Sequence, residues 1–205
     1  MINQFKQKRT YKIHQGFSLI ELLVSMALFT VVLIIGVGAL MVLINANAKA
    51  QNIQESVSNI QFALDSMARE IRTGNGYYCT TGTDEASGDH TQVKDCNKGR
   101  YLSIVEGGKS LTQGNNNRRI AYRYNATAKA VERKIGNGGW IRLTDPGVTI
   151  TEMHFNVANS AGRDDLGNTL QPNATIYISG QITGIDDTST DFTIQTTVTQ
   201  RTLDL

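Results

Sequence analysis

Residues 14–30 read HQGFSLIELLVSMALFT, and the fold turns on how the charge within that run, Glu21, is explained. Residues 22–48 hold no charged side chain at all, 27 positions in a row. Within them, residues 22–44 are an apolar run of 23, about 35 Å of helix and enough to cross a hydrocarbon core. A carboxylate at the centre of a bilayer costs roughly 2.5–3.5 kcal/mol on insertion scales. Glu21 at the edge of such a span therefore needs a reason.

The flanks narrow the choices. The chain has 205 residues, 20 basic and 18 acidic, for a formal charge of +2. Lys6, Lys8, Arg9 and Lys12 all precede Gly16, with no acid among them. Setting those four aside leaves 16 basic against 18 acidic residues, a net of −2. The downstream part is thus not a basic nucleic-acid binder by bulk charge, although Arg118 and Arg119 are adjacent and can form a local patch. The leading positives instead match a segment retained on the cytoplasmic side of a membrane span. A secretory signal has a shorter apolar core followed by a small-residue cleavage site. The ANAKA at 46–50 offers such a site after Ala48, but the run before it is too long.

A short basic leader ending in Gly16 and followed by FSLIELLV resembles the N-terminus of type IV pilins and of the pseudopilins of type II secretion. The resemblance implies that a prepilin peptidase cuts between Gly16 and Phe17, on the cytoplasmic side, and that Phe17 is then N-methylated. It also implies that residues 17–44 serve first as an inner-membrane anchor, with the head outside the cytoplasm, and later as the core of a fibre. Glu21 falls at the family's glutamate position. A carboxylate one turn from a newly made amine offsets much of the desolvation of both groups. The resemblance favours the amine of a neighbouring subunit as its partner.

The helix is expected to outrun the membrane. Apolar residues Ile53, Val57, Ile60, Leu64, Met67 and Ile71 recur in steps of three and four, a narrow seam on an otherwise polar helix. No proline lies in residues 17–72, so one helix of about 55 residues is expected, with Gly36 and Gly38 the weak points. TGNG at 73–76 ends it.

Beyond residue 74 the period changes to two. Ile120, Tyr122 and Tyr124 alternate with polar neighbours, and Val131, Arg133 and Ile135 do so more weakly. Alternation slips phase between Ile150 and Met153, which predicts a bulge. Ile176, Ile178 and Ile182 share one face, as do Phe192, Ile194 and Val198. These read as half-buried antiparallel strands. The chain is therefore an α+β protein in three parts: a leader at 1–16, a long helix at 17–73 with its span at about 20–44, and a β-rich head at 74–205. One sheet is expected to pack on the helix seam. The strand order, with LDSMAREIRTG at 64–74, resembles the J-type minor pseudopilins and the W-type minor pilins.

Cys79 and Cys96 lie in the loop-like YYCTTGTDEASGDHTQVKDCNK. Outside the cytoplasm such a pair is expected to form a disulfide; the alternative is a metal held by Cys79, Cys96 and His90. Acidic loops at 162–168 and 184–191 carry oxygen ligands suited to calcium but lack the EF-hand spacing. His14, His90 and His154 have no nucleophile beside them, and no phosphate loop or HExxH is present. Tyr77, Tyr78 and Trp140 can stack on a ligand, or simply pack. No enzyme, resident cofactor or metal is expected. The expected partners are the prepilin peptidase and, through the N-terminal helix, other pilin-like subunits. The rivals are an uncleaved single-span binding protein and a domain released after Ala48.

Overall fold

The structure, a computed structural model, describes residues 16–82, 92–108, 119–162, 170–184 and 188–201. One α-helix, α1 (Leu19–Thr73, 55 residues), is followed by nine strands. The chain divides into two compact units, residues 1–47 and residues 48–205. The first unit holds the apolar part of α1, which stays helical through Gly36 and Gly38.

In the second unit the strands form two antiparallel sheets where one was expected. β1 (Asn75–Thr80), β3 (Tyr101–Val105), β4 (Arg119–Asn125), β5 (Ala130–Ile135) and β6 (Ile141–Arg142) make a five-stranded sheet in the order β1-β3-β4-β5-β6. β2 (Cys96–Gly99), β7 (Val148–Ala158), β8 (Asn173–Thr183) and β9 (Ser189–Thr199) make a four-stranded sheet in the order β2-β7-β8-β9. The cysteine segment, expected as loop, therefore contributes two strands. β1 and β3 escaped the period-2 reading because both of their faces are covered. Tyr77 enters the main core while Tyr78 packs with Tyr101 and Ala121 on the other face, and all five residues of β3 are buried.

One core joins the helix seam to both sheets. Ile60, Leu64, Met67 and Ile71 meet Leu102, Ile104, Ile120 and Tyr122 of one sheet, and Ile150, Phe155, Ile176 and Ile178 of the other. Ile53 and Val57 pack at its margin, so the expected 3–4 spacing marks the buried stripe. The face assignments of Ile120 and Tyr122 and of Ile176, Ile178 and Ile182 hold, since all are buried. Phe192 and Ile194 lie at the margin of the same core, with Val198 inside it. Ile135 does not follow Val131 inward: it is exposed near the end of β5.

The register of β7 against β8 shifts between Ile150 and Glu152, where the phase slip had placed a bulge. Ile150 pairs with Gly180 there. A Cβ on Gly180 would fall 2.5 Å from the Thr149 carbonyl oxygen and 2.9 Å from the Phe192 ring. Only glycine fits that approach.

The end of α1 is tied down by its surroundings. The helix's last carbonyls lack intrahelical donors. The Gly74 N–H donates to the Glu70 carbonyl (2.8 Å), the Tyr77 hydroxyl to the Ile71 carbonyl (2.5 Å), and the Arg201 N–H to the Arg72 carbonyl (2.8 Å). Burial raises the Tyr77 phenol above the ordinary tyrosine range, which keeps it a donor at any physiological pH.

Candidate functional site: the start of the long helix

Gly16, Phe17 and Ser18 precede the helix. The Ser18 carbonyl accepts the Leu22 N–H at 3.1 Å, which makes Ser18 the N-cap residue and Leu19 the first helical position. Glu21 then lies in the first turn, where a negative charge is favoured by the helix dipole. Its carboxylate is exposed and has no partner among the described residues.

Beyond this first turn, as far as Ile44, nothing among the described residues covers the helix. The most apolar 18-residue window of α1 has a mean hydropathy of 2.9, and none of it is buried. Phe17 is 80% exposed, and the large apolar side chains from Leu19 to Ile44 are about half exposed or more. The hydroxyls in this stretch are already satisfied: Ser25 Oγ donates to the Leu22 carbonyl (2.9 Å) and Thr30 Oγ1 to the Met26 carbonyl (2.8 Å). Such back-bonding is what a hydroxyl needs in lipid, where water offers no substitute. Glu21 is left as the polar side chain with an unmet demand.

Gly16 is informative by what does not surround it. A Cβ built there meets no heavy atom within 4 Å, and its backbone is outside the left-handed region. Nothing among the described residues requires glycine at this position.

Cys79 and Cys96 are bonded to each other, with Cα atoms 5.4 Å apart. That removes the metal alternative, because neither sulfur remains a free thiolate; its third member, His90, lies outside the described residues. Among the described residues no group of three metal-ligating side chains forms. Of the acidic loops, 163–168 of the first and 185–187 of the second lie outside the described residues; Ser189–Asp191 of the second open β9, where Asp191 accepts from the Gln181 side chain at 2.9 Å. The bond joins β1 to β2, one strand from each sheet, and Gly99 lies against it: a Cβ there would come within 2.3 Å of Cys79 Sγ and 2.6 Å of Cys96 Sγ. Beside it, partial burial works against the charge of Asp95. Hydrogen bonds from the Ser160 side chain and from the Ser160 and Asn159 N–H groups outweigh that and lower its pKa.

Other expected candidates resolve into packing. Arg119 is buried, its guanidinium donating to the Gly76 carbonyl (3.2 Å) and Ser103 Oγ (3.1 Å), so it supplies no surface patch. Arg118 lies outside the described residues, as does His14. Trp140 packs edge-on to Tyr101 and beneath the Arg123 guanidinium at 4.1 Å. His154 stacks on Tyr177 with ring centroids 4.5 Å apart.

Sequence reading missed one polar cluster. Glu70 of α1 accepts from Arg133 through both carboxylate oxygens and also from the Tyr122 hydroxyl. Burial opposes the charge on Arg133, but its bonds to Glu70 and Tyr122 prevail and raise it further. Burial first, and then Glu70, push the Tyr122 phenol far above its ordinary range. The signal was present: an arginine at an inward-facing strand position, between Val131 and Ile135, demands an acid opposite.

A family model described as Prepilin peptidase-dependent protein B matches residues 47–200. The chain belongs to that family. A second model, the Prokaryotic N-terminal methylation motif, matches residues 11–37 and so covers Gly16, Phe17 and Glu21. This prepilin peptidase-dependent protein is therefore a pilin-like, processed subunit with an α+β fold, and its uncovered apolar helix is consistent with membrane anchoring. Comparison with curated proteins and with solved structures returned no match.

Proposed function

We propose that this chain is a minor pilin-like subunit that acts by assembly and not by catalysis. It is cut between Gly16 and Phe17, methylated on Phe17, and held in the inner membrane with its N-terminus cytoplasmic and its head outside. It then joins other pilin-like subunits at or near the tip of a type II secretion pseudopilus or type IV pilus. The observation that carries the reading is an apolar helix start that no described residue covers, beginning three residues after a glycine that no described neighbour requires. The first calls for lipid and then for neighbouring helices; the second calls for an enzyme that recognises a small residue. In the fibre, the Phe17 amine and the Glu21 carboxylate compensate each other, within one subunit or between two.

Gly16→Leu tests this. The substitution meets no neighbour among the described residues, so a defect in it reports on recognition and not on folding. The expected product is a full-length, membrane-held chain that is never shortened. Normal processing of that variant contradicts the proposal, and an unprocessed natural chain would favour the uncleaved anchor.

A further inference from the structure

Just before the apolar seam takes hold, α1 carries a polar face. Asn52, Glu55, Ser56 and Asn59 fall at i, i+3, i+4 and i+7, so they share one side of the helix. With Asp145, from the turn before β7, and Thr183, at the end of β8, they line a cavity of about 230 Å³. All six side chains carry oxygen, and two are carboxylates. No basic side chain is among the described residues that line it. We propose that this cavity is a calcium site, with Glu55, Asp145 and Asn52 as direct ligands and the remaining oxygens completing the shell directly or through water.

Two unmet groups point to a ligand. Ser56 is only 7% exposed, yet its hydroxyl has no hydrogen-bond partner among the described residues. Ser25, Thr30 and Thr73, by contrast, each donate to a carbonyl one turn back. Asn52 Oδ1, one turn before Ser56, is enclosed and accepts no hydrogen bond. Buried polar atoms are paired in nearly all folded proteins, so two on one helix face need an explanation. Calcium approaches an oxygen to about 2.3–2.6 Å, closer than the roughly 2.8 Å of a water, and so can reach an acceptor that water cannot. The carboxylates are open as well. Glu55 has no partner among the described residues, and Asp145 Oδ1 accepts the Gly147 N–H at 2.7 Å, which fixes the group and leaves Oδ2 for an ion. Water can serve neutral acceptors but does not offset two negative charges. Calcium does, and its flexible shell takes carboxylate, amide and water oxygens together. The lining has no histidine or cysteine and no trio of histidine, cysteine or acidic residues, so it does not suit zinc. The cavity also falls where the apolar hold on α1 is thin: Ile53 and Val57 are only partly buried, and the fully buried seam begins at Ile60. An ion shared by α1, the turn before β7 and the end of β8 clamps this part of the helix to the sheets.

The site lies wholly within residues 48–205 and does not depend on processing. The test adds calcium chloride to the purified full-length chain in detergent, after stripping with a chelator. Thermal unfolding is followed by near-ultraviolet circular dichroism, with calorimetric titration of the same sample. Two carboxylates among neutral oxygens correspond to a dissociation constant of about 0.1–1 mM, the range of extracellular modules. Calcium at about 10 mM should then raise the Tm by roughly 3–10 °C. Magnesium, which demands a tight octahedral shell and sheds water reluctantly, should give less than about half that shift. Glu55 is exposed, so Glu55→Gln should leave the stripped chain folded and weaken calcium binding roughly tenfold. Asn52→Leu should abolish the response and leave the stripped chain at least as stable as before, because an unmet acceptor is removed. Asn52→Asp should do the reverse, tightening calcium binding and lowering the Tm of the stripped chain, since it adds a third negative charge. An unaltered chain indifferent to calcium, an equal response to magnesium, or a response that survives both Glu55→Gln and Asn52→Leu overturns the assignment.

Discussion

Gly99→Ala should open the disulfide between Cys79 and Cys96. The added Cβ would lie 2.3 Å from one sulfur, 2.6 Å from the other and 3.1 Å from the Thr80 carbonyl oxygen. The first two separations are far inside van der Waals contact, and neither sulfur is the loose end of a flexible chain, because each is tied to the other. The bond closes a loop with a sequence separation of 17, for which the chain-entropy model gives roughly 3 kcal/mol. For a chain of this size that corresponds to a fall in Tm of roughly 6–12 °C. The assay is thermal unfolding of the purified chain in detergent, with thiols counted by alkylation and mass. A thermodynamic cycle isolates the cause. In a background carrying Cys79→Ala and Cys96→Ala, the same glycine substitution meets only the Thr80 oxygen and should cost about 1 kcal/mol or less. A Gly99→Ala chain with an intact disulfide and an unchanged Tm refutes the steric reasoning. So does an equal penalty in both backgrounds.

Ile71→Ala should destabilise the folded head by roughly 2–5 kcal/mol, because Ile71 is fully buried at the seam and its truncation leaves a cavity. Phe62→Ala, on the same helix but 74% exposed, should stay within about 0.5 kcal/mol; urea unfolding compares the two. Glu70→Gln should bring the Tyr122 phenol down toward the ordinary tyrosine range, since Glu70 is one of the groups holding it up. Ultraviolet titration at alkaline pH reads this, and an unmoved transition would mean that Glu70 does not govern Tyr122. Glu21→Gln should be inserted and cut normally yet lost from the fibre. An amine left uncompensated in an apolar core costs roughly 3–5 kcal/mol, at least a hundredfold in incorporation. The ratio of membrane-held to fibre-incorporated protein measures it, and equal incorporation would show that the charge of Glu21 has no role in assembly.

The sequence was most legible where a single face is buried. The seam from Ile60 to Ile71 and the Ile176, Ile178 and Ile182 face announced themselves by period, and the bulge after Ile150 by a break in that period. Legibility failed where burial is two-sided: β1 and β3 show no alternation because Tyr77 and Tyr78 both need cover, on opposite faces. The division into two sheets was hidden for a related reason. A covalent bond joins strands of different sheets, and spacing alone cannot say which strands Cys79 and Cys96 belong to. The Glu70 cluster was missed because its members are 63 residues apart in the chain, although the inward-facing Arg133 was a visible anomaly. At the candidate site the residues were readable but their local geometry was not. That Ser18 is the cap, and that Gly16 has no neighbour among the described residues, are facts of backbone position.

Processing at Gly16 is tested most directly by the intact mass and N-terminal sequence of the mature protein from its native membrane. The expected result is a chain beginning at Phe17 and carrying one methyl group on its α-amine. A chain beginning at Met1, or one beginning at Lys49, would contradict it.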